Sequence, residues 1–173
     1  MRAVVLDPAS ADFEWLLERR RRLGLDIYDE MWEGVYHMAP MARSAHGYLD
    51  RQVARLLGPY AEAAGLVDTG AFNLGEPEDF RVPDAGMHRG DPDPDAVYLP
   101  TAALVVEIVS PGDETWDKLP FYAACGVEEV IIVDYADRRA RVFALSGSTY
   151  AEVLVSEALG IGSEEIGSRI RWP

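Results

Sequence analysis

Cysteine is nearly absent from this 173-residue chain: Cys125 stands alone. One thiol excludes an intrachain disulfide framework and any zinc site built on four cysteines. Long apolar runs are also missing. None approaches the ~20 residues that span a bilayer, so no membrane partner is expected. The first residues, Met-Arg-Ala-Val-Val-Leu-Asp-Pro, lack the apolar region and small-residue cleavage site of a secretory signal, and a cytoplasmic protein is expected. Positive charge is scarce: 16 basic residues against 30 acidic ones leave a net charge of −14. That balance counts against loose binding to nucleic acid, which relies on neutralising phosphates. It does not exclude a nuclease, because a metal ion can carry the positive charge at one site.

The chain has enough apolar residues for a sizeable core, at 49% hydrophobic and 27% charged. No internal repeat or low-complexity linker divides it, so residues 1–173 are expected to form a single domain. Ser10 to Arg22 reads as a short helix with Phe13, Leu16 and Leu17 on one face, Ser10 as N-cap and Gly24 beyond the end. Its run Arg19 to Arg22 reads as a solvated helix end that suits the helix dipole. Asp29 to Ala39 reads as a strand pair around Glu33-Gly34. Ala42 to Ala64 is the clearest helix, with Leu49, Val53, Leu56, Leu57 and Tyr60 at three- and four-residue spacing. Gly58-Pro59 is expected to kink or split it. Strand-like pieces follow at 66–69, 71–74 and 80–84. The alternating Pro and Asp of residues 90–95 form a loop, with neither the terminal glutamate nor the proline-free backbone of a calcium-binding hand.

Leu104-Val105-Val106-Glu107-Ile108-Val109 is a nearly continuous aliphatic run of strand length, which reads as a central strand covered on both faces. A carboxylate inside it needs a cation, a donor or an opening to water. Asp113 or Thr115 can cap the next helix, which runs to Cys125, with Pro120 confined to its first turn. Residues 130–134 form a second buried strand, and 141–145 with 150–155 form two antiparallel ones. Residues 157–173 give little signal.

Asp84, in Arg81-Val82-Pro83-Asp84, then joins Glu107 and Lys118 as a candidate site of two acids and a base. Ordinary readings stand beside this one. Asp84 and Glu107 could be salt-bridged strand carboxylates, Lys118 a solvated helix lysine and Glu33 a turn acid. His46 could cap or pack at its helix start, and Tyr122 could pack on the Lys118 side of the helix. His37 and His88 have no ligand-like spacing with Cys125 or with each other.

The order of these pieces resembles the PD-(D/E)XK nuclease superfamily, and more closely the Uma2 family of restriction-endonuclease-like proteins. The matching residues are Trp32-Glu33-Gly34, Met38-Ala39-Pro40 with His46, Val82-Pro83-Asp84, Val105 to Pro111, Asp117-Lys118 with Tyr122, Cys125-Gly126-Val127 and Val133-Asp134. The resemblance implies an α/β, restriction-endonuclease-like fold with a central mixed β-sheet flanked by α-helices. It implies Asp84, Glu107 and the backbone carbonyl of Ile108 as ligands of Mg²⁺ or Mn²⁺. The superfamily's lysine two residues after the acid is Val109 here, and Lys118 on the next helix takes its place. Glu33 is a candidate additional acid and His46 a candidate substrate contact.

The implied function is a Mg²⁺-dependent endonuclease that hydrolyses phosphodiester bonds in nucleic acid, with DNA the expected substrate and a homodimer the expected assembly. Two alternatives remain: a non-catalytic binding or assembly protein that keeps the fold, and a hydrolase of small phosphodiesters, which would need no long basic groove.

Overall fold

The computed structural model describes residues 11–110, 112 and 114–173, so Ser10, Pro111 and Asp113 lie outside the described residues. The elements run α1 (Ala11–Leu23), β1 (Glu30–Trp32), β2 (Val35–His37), α2 (Ser44–Ala63), β3 (Leu66–Gly70), β4 (Asn73–Glu76), β5 (Asp79–Arg81), β6 (Ala85–Arg89), β7 (Tyr98–Leu99) and β8 (Leu104–Val109). A 3₁₀ turn at Thr115–Lys118 leads into α3 (Leu119–Ala124), followed by β9 (Glu129–Asp134), β10 (Arg139–Ser146), β11 (Thr149–Val153), β12 (Val155–Ser156), β13 (Ile161–Gly162) and α4 (Ser163–Arg169).

A six-stranded sheet in the order β11-β10-β9-β8-β6-β3 forms the centre. Only β8 and β9 pair in parallel within it, so the sheet is mixed. Strand periodicity explains why both central strands are apolar throughout. Leu104, Val106 and Ile108 of β8, with Ile131 and Val133 of β9, pack against Leu49, Val53 and Leu57 of α2 and Ile166 of α4. Val105, Val130 and Ile132 point the other way, toward Tyr122 of α3 and Leu74 of β4. The intervening strand position on that second face is Glu107.

A second sheet, in the order β2-β1-β5-β4-β7, contributes Leu74 to that same side. Its β1–β2 hairpin closes through Glu33 (φ 50°) and Gly34 (φ 80°). Two successive left-handed residues form the tight turn whose twist matches that of the strands.

Three expectations need correcting. Helix α2 is not split at Pro59: it continues to Ala63, and Pro59 and Arg55, whose carbonyl it deprives of its helical partner, are both exposed. The Arg19–Arg22 run is not uniformly solvated: Arg20 makes a paired contact of 2.6 Å to each oxygen of the buried Asp29, which also accepts from Tyr36 and from the Ala39 backbone. Asp84 sits in the bend just before β6 rather than inside a strand, and β6 itself (Ala-Gly-Met-His-Arg) carries too little apolar alternation to be read from sequence. Pro120, by contrast, falls in the first turn of α3 as expected.

The hairpin turn yields a stability test. Glu33 holds a left-handed conformation that costs an ordinary residue about 1 kcal/mol, whereas Asn-Gly is the preferred pair for this turn. Glu33→Asn is therefore expected to raise the urea midpoint with an unchanged slope, and a lowered midpoint would show that the Glu33 side chain stabilises the fold.

Candidate active site

Glu107 is only 3% exposed, so its charge must be met by neighbours. Two are supplied from one side by the segment after β8. The Lys118 ammonium lies 3.1 Å from Glu107 Oε1, and the Tyr122 hydroxyl donates a short hydrogen bond to the same oxygen. The helical course of Lys118 to Tyr122, started by Pro120 near the head of α3, aims both side chains at the strand. Lys118 is also the only lysine in the chain, all other basic residues being arginine. A compact ammonium, rather than a planar guanidinium, fits a buried position between two carboxylates.

The second carboxylate is Glu30. Its Oε1 lies 2.9 Å from Lys118 Nζ and accepts a 2.7 Å hydrogen bond from the Val82 backbone, while Oε2 accepts 2.7 Å from the Trp32 indole. Glu30 thus ties the hairpin, the lysine and the Val82-Pro83-Asp84 segment together. Asp84 is brought in by the pairing of β6 with β8, which sets Ala85 opposite Val106. Its Oδ2 accepts 2.7 Å from the Ile108 backbone N–H, and its Oδ1 lies 2.9 Å from His46 Nε2. His46 stands in the first turn of α2, with Nδ1 3.3 Å from Ser110 Oγ.

These groups line one cavity of about 690 Å³: Glu30, His46, Asp84, Glu107, Ile108 and Lys118. Negative charge is in excess there, and proton affinities rise to meet it. Burial pushes the Glu107 carboxyl up to about 7, with Asp84 and Glu30 adding to the push and Lys118 opposing it. Burial followed by the Asp84 charge raises Asp50, which also lines the cavity. The hydrogen bond to Asp84 raises His46 against the effect of its own burial. Burial works against the Lys118 ammonium, but Glu107 and Glu30 together keep it firmly charged.

A divalent cation would relieve this excess. Asp84 and Glu107 offer oxygen ligands of the kind hard cations take, and Mg²⁺ keeps several waters beside one or two carboxylates. Among the described residues no group of three or more His, Cys, Asp or Glu is arranged to hold a metal ion. Any ion here would complete its shell from the backbone or from water.

Of the residues singled out by sequence, the structure brings together Asp84, Glu107, Ile108, Lys118 and His46. Glu33 is not among them: it is exposed in the hairpin turn, where its backbone N–H donates 3.0 Å to Asp79 Oδ1. The acid that reaches the lysine is Glu30, three residues earlier, on the inward side of β1. Tyr122, expected to pack, also orients Glu107 through its hydroxyl. His88 lies elsewhere, edge-on to Phe72 and 3.1 Å from Thr69 Oγ1.

The raised groups give a definite pH dependence. Between the ordinary carboxyl value of 4.5 and about 7, Glu107 binds its proton more tightly folded than unfolded, so raising the pH across that window removes stability. His46, raised from 6.5, contributes stability that is present below 6.5 and lost as the pH passes its raised value. Both effects have the same sign. In metal-free buffer, unfolding free energy is expected to fall from pH 5 to 7.5, and Glu107→Gln to flatten the fall. Parallel profiles for the two proteins would refute the assignment to Glu107.

The fold recurs in a solved protein. The crystal structure of a "putative nuclease belonging to DUF820" from Anabaena variabilis superimposes with a TM-score of 0.66 at 14% identity, covering 82% of this chain and 90% of that one. A cryo-EM structure of a DrdV–DNA complex matches 57% of this chain and 9% of its own at 20% identity, with a TM-score of 0.37. No curated protein matches. The first likeness establishes the restriction-endonuclease-like fold. The profile of the Uma2 family, described as "Putative restriction endonuclease", matches residues 18–167, and the chain belongs to the Uma2 family.

Proposed function

We propose that this protein is a nuclease, with DNA as its first expected substrate, and that its chemistry takes place between Asp84, Glu107 and Lys118. The observation that carries the reading is the convergence of the Asp84 and Glu107 carboxylates and the chain's single lysine on one cavity with excess negative charge. Asp84, Glu107 and the Ile108 carbonyl would hold Mg²⁺ or Mn²⁺. When bound, such an ion supplies Lewis-acid polarisation of the phosphodiester and a more acidic water.

The protein's own groups do the rest. Lys118, held charged by Glu30, offers its ammonium to the negative charge that builds up on the phosphoryl oxygens. Tyr122 and Lys118 fix one oxygen of Glu107, which lines the cavity. His46 and the Ile108 N–H orient Asp84. The proposal includes one domain acting as a homodimer in the cytoplasm. Sedimentation velocity tests the assembly. Among the described residues no helix is long and apolar enough to cross a membrane.

One observation favours a second reading. Lys118 is already shared between two carboxylates at 2.9 and 3.1 Å, and a closed ion-pair network of this kind suits a fold kept for binding rather than catalysis. Titration with Mn²⁺ separates the two. Wild type is expected to bind, Asp84→Ala with Glu107→Ala to lose binding, and each single substitution to reduce cleavage about 100-fold or more. Glu33→Asn is expected to leave binding unchanged. Cleavage by the double variant at the wild-type rate would sink the site assignment, and no Mn²⁺ binding at millimolar concentration would favour the non-catalytic reading.

Lys118→Met provides an independent check. It is expected to cut turnover about 100-fold while sparing Mn²⁺ binding, because lysine is not a metal ligand. Equal loss of both would show that the lysine holds the site together instead of acting on the substrate.

A further inference from the structure

A row of stacked side chains ends at the cavity wall. The Arg81 guanidinium, 5% exposed, sits between the Phe121 ring at 4.1 Å and the Trp32 ring at 4.4 Å. Its Nε is the one buried side-chain polar atom among the described residues without a hydrogen-bond partner, as expected for a cation held by ring faces. Trp32 in turn lies parallel to the His37 imidazole, with centroids 4.4 Å apart and planes 14° apart. His37 lines the cavity, and its Nδ1 is fixed 3.1 Å from Glu114 Oε2. The row is tied to the catalytic groups. The Trp32 indole donates to Glu30, the carboxylate that also holds Lys118.

The rest of the cavity fits a strand better than a duplex. Glu107 is recessed, and the Asp84 side chain is only 22% exposed. Duplex binding is built on many phosphate contacts. Here Arg43 and Arg51 share the cavity wall with the acidic Asp50, Asp68 and Glu114. Single strands add to their phosphate contacts the stacking of successive bases on aromatic faces, a source of affinity that paired bases in a duplex do not offer. Tyr28, 47% exposed and also on the cavity wall, adds a second aromatic surface.

We propose that the cavity accepts a single-stranded stretch or frayed end of nucleic acid, with a base beside the scissile phosphodiester stacked on His37 as the next member of the row. This rests on the phosphodiester-cleaving reading and names its substrate class.

Fluorescence anisotropy tests it in an Asp84→Asn background, where cleavage is disabled and one repelling charge is gone. The probes are a short single-stranded oligonucleotide, the same strand with abasic sites, and the corresponding duplex. The base-bearing strand is expected to bind at least about tenfold tighter than the abasic strand or the duplex. His37→Ala is expected to erase the difference between base-bearing and abasic strands, and His37→Phe to restore it, an outcome that a purely structural role for His37 would not give. Duplex binding as tight as single-strand binding, no measurable single-strand binding, or an unchanged base preference in His37→Ala would each overturn the proposal. Failure of the underlying reading is separate: it would appear as a wild-type protein that cleaves neither nucleic acid nor bis(p-nitrophenyl) phosphate with Mn²⁺.

Discussion

A carboxylate buried in the central strand is the constraint from which this architecture follows. Glu107 lies in β8 opposite Ile132 of β9, just past the end of the pairing with β6 at Val106, and is only 3% exposed, so water cannot solvate it fully. Its compensation has to come from neighbouring elements. The 3₁₀ turn and α3 bring Lys118 and Tyr122, and the charge of Lys118 then draws in Glu30 from β1. Glu30 holds the Val82 backbone and so fixes the approach of Asp84. One desolvated charge thereby joins both sheets, and the site is a product of that joining. Removing one partner of such a buried set leaves another uncompensated, which is why the members depend on one another.

Legibility in the sequence followed how local each signal was. The continuous aliphatic run of β8 announced a central strand, and α2 announced itself by spacing. Asp84, Glu107 and Lys118 were legible because motif order over a long stretch matched a family. Glu30 was not. Whether Glu30 or Glu33 faces the cavity depends on the register of a three-residue strand and on which of its residues enter a left-handed turn. Both acids flank Trp32, and composition treats them alike. One signal was present and unused: a lysine occurring once in a chain otherwise served by arginine marks a position where the compact ammonium is needed.

The remaining differences have similar causes. Strand β6 holds its place by pairing with β8 and β3, not through its own propensity; its Gly86 accommodates the Phe72 ring where a Cβ would stand 2.1 Å from a ring carbon. Helix α4 is short and amphipathic only in the company of β10 and β13, with Ile166 fully buried. Elements stabilised by tertiary contacts leave weak traces in a single sequence.

The solitary lysine also limits how the protein can be controlled. Acetylation, methylation and ubiquitin-like attachment at ε-amines have one possible target in this chain, and it is buried between Glu30 and Glu107. A surface tag of that chemistry has no place to attach. Acylation of Lys118 would need the cavity to open and would discharge the one cation that Glu30 and Glu107 share. In this chain, lysine modification would strike the centre of the ion-pair network and not its periphery.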